Sequence, residues 1–447
     1  MRIDIPDPGA FRAMLEREIK QTVEPVPTGI SVDSREVTPG DLFVALKGEN
    51  TDGHLFLEDA RKRGSVAALV NHPGPEVDLL QITVEEPSAT IASLSTQWRS
   101  NFSLPVLGLT GSNGKTTTKD LLVHIFSATE DVHGTRGNYN TRIGLSLTLL
   151  ELTSHHTLSI LEMGANQRGD IGYLSSLSFP QHGMITNIAP THLTGFGSIE
   201  NVAKAKGELF EALPADGIAF VNGDDERVTL LSTKAGKVTY GFGPGHDFSA
   251  RLHRGESGLL SLTVNDHTVD LNSYNHTFAR NALAACAVSV TLGVDWEIFK
   301  EMISRFTPTK GRCRVETLRG VTVIDDTYNA NLTSALAALD LLFSIPVEGR
   351  RIVVFADMLE LGRESESHHR VVGEWCVEKR VDLLLCYGEE SRTTWEAAKP
   401  GIDSRHYAEK EKLAVVLRDE VKQGDVVLFK GSRAMALETV MEEVFTD

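Results

Sequence analysis

The chain has 447 residues, and 44 Lys and Arg against 61 Asp and Glu give it a formal charge of −17 with His neutral. That balance argues against a general binder of nucleic acid or anionic membrane; the length exceeds one ordinary hydrophobic core, so at roughly 100–200 residues per domain we expect three domains. With 41% hydrophobic and 23% charged residues and no low-complexity tract, the composition is that of a folded, soluble protein.

Met1–Ala10 carries acids and prolines where an export signal needs a basic start and an apolar run. No stretch approaches the ~18 apolar residues of a membrane span, so a cytoplasmic location is expected. The cysteines, Cys286, Cys313, Cys376 and Cys386, form no C-x-x-C pair. Neither a zinc site nor a disulfide framework is indicated, and the thiols are expected to be reduced and buried.

To about Phe102, short strand-like pieces such as Asp41–Leu46 mix with helical ones around Phe56–Arg63, as in a small α/β unit. Leu104–Leu109 is an apolar run that stops at a Gly-rich turn and leads into a helix-periodic stretch with Leu121, Leu122, Ile125 and Phe126. Strand, loop, helix is the simplest parse. The pattern recurs at Leu158–Leu161, which ends at Glu162, and at Gly183–Ile188, which ends in a polar loop holding His192. Runs this short favour parallel strands covered on both faces over buried helices. Open parallel sheets bind ligands beyond the carboxyl ends of their strands, so the Gly-rich loop, Glu162 and His192 are expected on one edge.

Lys206 falls in a helix-like stretch, Val202–Leu213. From Asp216 to Leu271 many Gly, Thr and Val residues with weak alternation read as an excursion of β-hairpins before a helix over Arg280–Leu292. From about Arg314 strands at Val321–Asp325, Arg351–Phe355, Val381–Cys386 and Asp425–Lys430 alternate with helices, as in a separate nucleotide-fold domain.

The strongest motif is Gly108-Leu109-Thr110-Gly111-Ser112-Asn113-Gly114-Lys115-Thr116-Thr117. Its glycines let backbone N–H groups turn toward a phosphate chain, the following helix offers its positive end, Lys115 neutralises β/γ charge, and the Thr116 hydroxyl can ligate Mg2+. The spacing departs from G-x-x-x-x-G-K-[ST], because Leu109 sits where the first Gly belongs. ATP is the expected ligand, but such a loop serves kinases, ATPases and ligases alike. Glu162 reads either as a strand-end cap or as a metal ligand, since hard cations prefer carboxylate oxygen. On their own merits His192 is a hydrogen-bonding loop residue and Lys206 a solvated lysine.

Several further segments follow in order. Ser31-Val32-Asp33-Ser34-Arg35, Pro39-Gly40-Asp41-Leu42-Phe43-Val44-Ala45-Leu46-Lys47-Gly48 and Asp52-Gly53-His54 precede the phosphate loop. Gly137-Asn138-Tyr139-Asn140, Glu162-Met163-Gly164-Ala165-Asn166, Thr191–Ser198 and Ala203–Glu208 follow it, and then Asp325–Asn331, Asp357-Met358-Leu359-Glu360-Leu361-Gly362 and Lys430-Gly431-Ser432-Arg433. Together they resemble the ATP-dependent Mur ligases of peptidoglycan synthesis across nearly the whole chain. The last three favour the member that adds D-alanyl-D-alanine. Two departures stand out. The family's Gly-x-His-Asn-x-x-Asn adenine motif is replaced by Ser273–Asn281, so only Asn281 carries over, and Thr327 and Leu332 replace a serine and a proline around Asp326–Asn331.

The resemblance implies an α/β protein of three domains: a small UDP-substrate-binding domain over 1–102, a central P-loop parallel-sheet ATPase domain over 103–313, and a Rossmann-like ligase domain over 314–447. It implies ATP-driven amide formation through an acyl phosphate, with UDP-N-acetylmuramoyl-tripeptide and D-alanyl-D-alanine as substrates, ATP and Mg2+ as cofactors, no nucleic-acid or membrane partner, and a monomer. By carry-over Gly111, Ser112, Asn113, Gly114, Lys115, Thr116 and Thr117 cradle ATP, with Asn281 at the adenine, Asp326 at the ribose and Arg312 at the γ-phosphate. Thr116, Glu162, His192 and a carbamylated Lys206 hold metal, and Lys115, His192, Lys206 and Arg312 serve catalysis. Ser34, Arg35, Lys47, Asn138, Asn140, Tyr328, Asn329, Asn331, Lys430, Ser432 and Arg433 bind substrate. A linker salt bridge is the plainer reading of Arg312, and a surface turn that of Lys430–Arg433. A folylpolyglutamate synthase-like ligase lacks a counterpart to the Asp33–Arg35 and Phe43–Gly48 segments. A noncatalytic ATP-binding module would not need Lys115, Glu162, His192 and Lys206 together.

Overall fold

Residues 1–48, 51–74, 77–191 and 193–446 are described by the structure, a computed structural model. Among them the strands form three sheets. Arg2–Asp4, Gly29–Ser31, Asp41–Val44, Ala67–Val70 and Leu80–Thr83 (β1 to β5) lie side by side in that order, β1 antiparallel to β2 and the rest parallel. Both β3 and β4 are buried along their whole length, as parallel strands covered on two faces must be.

The second sheet holds Val106–Thr110, Val132–Gly134, Leu158–Glu162, His182–Ile185, Ile218–Asn222, Gly236–Phe242, Phe248–Arg254, Leu260–Val264 and His267–Asp270 (β6 to β14) in the order 14-13-12-11-10-9-6-8-7. β6 lies between β8 and β9 and is parallel to both, so their carboxyl ends share one edge. The chain leaves β6 for the β7–β8 side and then returns to lay β9 on the other, which makes this edge a topological switch point. The hairpin excursion expected over Asp216–Leu271 is corrected here. β10, β11 and β12 continue the same sheet in parallel, and only β12 to β14 are antiparallel. Ile218–Asn222 is buried at its centre, so it alternates no more than the other covered strands do. The helix expected at Arg280 begins earlier, at His276, because the Asn275 side chain accepts from the Thr277 and Phe278 N–H groups and caps it there.

Arg314–Leu318, Val321–Asp326, Arg351–Ala356, Leu383–Tyr387, Ser404–Tyr407 and Val426–Lys430 (β15 to β20) build the third sheet in the order 15-16-20-17-18-19, with β15 antiparallel to β16 and the rest parallel. The two strands the sequence reading omits, β15 and β19, are the sheet's edges. Both are half-exposed and carry charged side chains that hide a strand signal.

The first two units share one apolar core. Ile3, Leu42 and Leu69 belong to the same cluster as Leu145, Leu149 and Leu209. Trp98 Nε1 donates to the Leu152 carbonyl at 3.0 Å, and Arg99 Nε to that of Ser178 at 3.1 Å. The third unit has cores of its own. No described helix is long and apolar enough to cross a membrane. Cys286, Cys376 and Cys386 are free and buried as expected, whereas the free Cys313 is only partly covered and lines the cleft described next.

Candidate active site

The loop Gly111–Gly114 joins β6 to the helix Lys115–Phe126 at the switch point. A Cβ on Gly111 would lie 1.8 Å from Thr186 Oγ1, and Gly114 has φ +79° with its α-carbon facing Asn281 Oδ1. The loop is held by the segment after β9. Ser112 N donates to the Asn187 carbonyl at 2.9 Å, Ser112 Oγ to that of Ala189 at 2.8 Å, and Thr186 Oγ1 to that of Asn113 at 2.7 Å. These partners were not singled out from the sequence, because nothing in a strand's carboxyl end states which neighbouring loop it will brace.

Two lysines converge under the loop. Lys115 Nζ donates to the Gly111 carbonyl at 2.8 Å and Lys206 Nζ to the same oxygen at 2.9 Å. Lys206 lies on the helix Ile199–Ala212 and is 2% exposed, so the solvated-lysine reading is corrected. Burial first, and the adjacent Lys115 second, push its amine well below the ordinary lysine range. Burial also lowers Lys115, with Glu162 opposing. Glu162 ends β8 and is buried. Its Oε1 accepts from Asn140 Nδ2 at 2.6 Å, while Oε2 is buried without a partner. Among the described residues no three His, Cys, Asp or Glu side chains cluster as a metal site. His192 lies outside the described residues.

The third unit takes in Gly311–Cys313, because Gly311 N donates to Asp325, Cys313 N to Asp326, and Tyr328 N to the Gly311 carbonyl, and it reaches across to this loop. Arg312 Nη2 donates to Thr116 Oγ1 at 3.0 Å while its guanidinium stacks 3.6 Å from the Tyr328 ring centre. Asn331 Nδ2 donates to Asn113 Oδ1 at 2.9 Å. Asp326 accepts from Cys313 N at 3.1 Å and from Lys430 Nζ at 2.5 Å, and Lys430 also donates to the Asn329 carbonyl at 2.8 Å.

All three units line one cleft of about 1260 Å³. Lys47, Asn71 and Ser88 come from the first, Ser112–Thr117, Asn138, Asn140 and Asn281 from the second, and Asp326, Tyr328, Asn329 and Asn331 from the third. Asn71 and Ser88 carried no motif and were missed. So was Tyr240, whose buried hydroxyl has no partner at the cleft wall. Two expected substrate residues are not brought in: Ser34 is buried elsewhere, and Arg35 is exposed and folds back on Asp33 at 2.6 Å. Lys430 lines the cleft, but its amine is turned onto Asp326. Ser432 and Arg433 face a second, smaller cavity.

Three α/β units closing on a P-loop at a sheet switch point define a modular nucleotide-binding protein. The Mur ligase middle domain matches residues 109–289, the Mur ligase glutamate ligase domain 311–433, and the Mur ligase family catalytic domain 27–99. The chain belongs to the Mur ligase family. It is 36% identical over 424 residues, 92% of each chain, to the UDP-N-acetylmuramoyl-tripeptide--D-alanyl-D-alanine ligase of Escherichia coli (strain K12). It superposes on MurF from Acinetobacter baumannii with a TM-score of 0.85 at 29% identity, over 98% of both chains. For MurF ligase from Thermotoga maritima in complex with ADP the TM-score is 0.79 at 31% identity, over 93% of this chain and 96% of that one.

Proposed function

We propose that the chain is an ATP-dependent ligase that joins D-alanyl-D-alanine to UDP-N-acetylmuramoyl-tripeptide in peptidoglycan synthesis. The observation that carries this reading is the single cleft into which the P-loop and side chains of all three units project. A monomer fits it, since the cleft is completed within one chain, and a cytoplasmic site of action is part of the same proposal.

A carboxylate resists attack by an amine. The tripeptide's terminal carboxylate oxygen therefore bonds to the γ-phosphorus as the bond to ADP breaks. The deprotonated dipeptide amine then attacks the carbonyl carbon, the carbon–oxygen bond to phosphate breaks, and inorganic phosphate leaves. Both steps gather negative charge on oxygen, which fixed cations stabilise. Lys115 supplies one cation at the loop, and Arg312, already at Thr116 and oriented by Tyr328, supplies a second from the third unit. The donor set suits Mg2+, which needs only one or two protein oxygens beside phosphates and water. Glu162 Oε2 is a buried carboxylate oxygen without a partner, and Thr116 offers a hydroxyl. When bound, the ion would neutralise phosphate charge. Lys430 acts as a positioning residue: it holds Asp326 and the Asn329 carbonyl rather than meeting substrate.

Lys206 serves as an oxygen ligand only once carbamylated. Its buried position favours the neutral amine, the form whose nitrogen adds to CO2, losing a proton to leave an anionic carbamate. Lys206→Ala is expected to lose most activity and to regain part with short-chain carboxylates. Full activity in the untreated variant would sink the idea. The ligase reading itself is tested by phosphate release that requires both UDP-tripeptide and D-alanyl-D-alanine, with mass spectrometry of the product. Release with folate-type substrates instead, or ATP binding without turnover, would replace it by the rival readings.

A further inference from the structure

Three neighbouring side chains of the loop before the helix Arg142–Leu150 go three different ways. Asn138 lines the cleft, Asn140 Nδ2 donates to Glu162 Oε1 at 2.6 Å, and Tyr139 between them turns to the first unit, where its hydroxyl accepts from Arg2 N at 3.1 Å. β1 is the edge of its sheet, and N–H groups along such a strand alternate between the neighbouring strand and the free side. Ile5 N donates to the Thr28 carbonyl at 2.9 Å, which leaves Arg2 N on the free side. Tyr139 therefore satisfies a donor that an open edge leaves to water.

Both ends of this link are fixed. On the middle unit, Tyr139 N donates to the Arg136 carbonyl at 3.0 Å and Gly164 N to that of Asn140 at 2.8 Å. A Cβ on Gly144 would lie 2.6 Å from the Tyr139 α-carbon, so the helix packs directly on the loop backbone, and the Tyr139 ring packs against the core that the first two units share. On the first unit, Arg2 Nε and Nη2 meet Asp41 Oδ2 and Oδ1 at 2.8 and 3.0 Å. Asp41 is fully buried, accepts also from Thr38 N at 2.8 Å, and opens β3, whose continuation Ala45–Lys47 lines the cleft. Contacts thus run without a gap from Lys47 along β3 to Asp41, Arg2, Tyr139, Asn140 and Glu162.

We propose that Tyr139 is a positioning residue that links occupancy of the first unit to divalent-cation binding at Glu162. The assignment rests on the ligase reading, which puts a UDP ligand on the first unit and Mg2+ at Glu162. A ligand that orders Lys47 and the end of β3 orders Arg2 through Asp41. Arg2 N then holds the Tyr139 hydroxyl, and the Asn140 amide is already set on Glu162 Oε1 when the ion arrives, with Oε2 left to meet it. Linkage is reciprocal, so the ion tightens the UDP ligand by the same factor. The consequence for the reaction is order: the phosphoryl donor and its metal are gripped best once the substrate that will receive the phosphoryl group is in place.

The test is calorimetry of ADP binding to the full-length wild type and Tyr139→Phe, in Mg2+ and in EDTA, each with and without UDP-N-acetylmuramic acid, which lacks the tripeptide that would reach the ion. The ratio of the ADP dissociation constants in EDTA and in Mg2+ reads the metal's share. In wild type UDP-N-acetylmuramic acid is expected to raise this ratio about three- to fivefold, the worth of one neutral hydrogen bond. In Tyr139→Phe, which keeps the ring and loses the hydroxyl, the ratio should not respond. A purely structural role would lower the melting temperature of the variant and leave the response intact, and that result overturns the proposal. So does a wild-type ratio that ignores UDP-N-acetylmuramic acid although calorimetry shows the ligand bound. If neither ADP nor UDP-N-acetylmuramic acid binds wild type, the ligase reading itself falls.

Discussion

Glu162 commits one carboxylate oxygen to Asn140 and buries the other without a partner, an arrangement that costs stability unless something fills it. Glu162→Gln keeps an acceptor for Asn140 but removes the charge. We expect kcat to fall by about 100-fold or more and the Mg2+ concentration for half-maximal rate to rise, measured by metal titration at saturating substrates. An unchanged metal dependence would remove Glu162 from the ion's shell. His133 is a structural counterpart. Its Nε2 faces the Thr148 carbonyl at 2.9 Å and its Nδ1 the Ser159 hydroxyl at 2.8 Å. A carbonyl only accepts, so the proton sits on Nε2. Burial, aided by His156, holds its pKa down to about 3. A base depressed this way contributes stability that is complete above about pH 6.5 and is lost as pH falls toward 3, since the unfolded chain takes up the proton first. Urea unfolding should therefore give about 2 kcal/mol less stability from this residue at pH 5 than at pH 7.5. His133→Gln should flatten that difference.

At the scale of elements, the helix Leu332–Ser344 ties stability to closure. Asn331 caps it, accepting from Ser334 N at 2.9 Å, and the same side chain donates to Asn113 on the P-loop. Asn331→Ser keeps a capping oxygen but is too short to reach Asn113. Asn331→Ala loses both functions, at about 1 kcal/mol for the cap. Thermal melts should separate the two variants, while both should show a severalfold rise in KM for ATP. Equal melts would mean that the cap contributes nothing. The phosphate loop, the strands that feed it and the helix bearing Lys206 were legible in the sequence, because a short buried run ending at Gly or Glu has one sensible parse. β15 and β19 were not, since edge strands are half-wet and charged. Nor was the inward turn of Lys430 toward Asp326, whose partner is 104 residues away, or Arg35's retreat onto Asp33, because local spacing carries no information on which neighbour wins a side chain.

For the whole molecule, the distribution of apolar surface decides what can move. The first and second units share one continuous core, so separating them would expose leucines from both. The third meets the second largely through hydrogen bonds, Arg312 to Thr116, Asn331 to Asn113, Ser344 Oγ to the Tyr274 carbonyl at 3.1 Å and Arg254 Nη1 to that of Ser344 at 3.3 Å, with Tyr274 packed against the third unit's core. Polar interfaces of this kind are compatible with relative motion of the units they join. The linker locates the pivot. Thr309 is fixed to the P-loop helix through Asp120, while Gly311 N is fixed to Asp325 of the third unit at 2.7 Å. Lys310 lies between these anchors and Gly311 has φ +78°, so backbone rotation is concentrated there. Arg312, one residue beyond, is expected to travel with the third unit, so that its bond to Thr116 forms only when that unit is closed. Small-angle scattering should then show compaction on adding a nonhydrolysable ATP analogue with UDP-tripeptide, and Arg312→Ala, which deprives the closed state of its link to Thr116, should compact less at the same ligand occupancy. Equal scattering from wild type with and without ligands would mean that the third unit is already held shut, and that Arg312 is fixed at the loop before any nucleotide arrives.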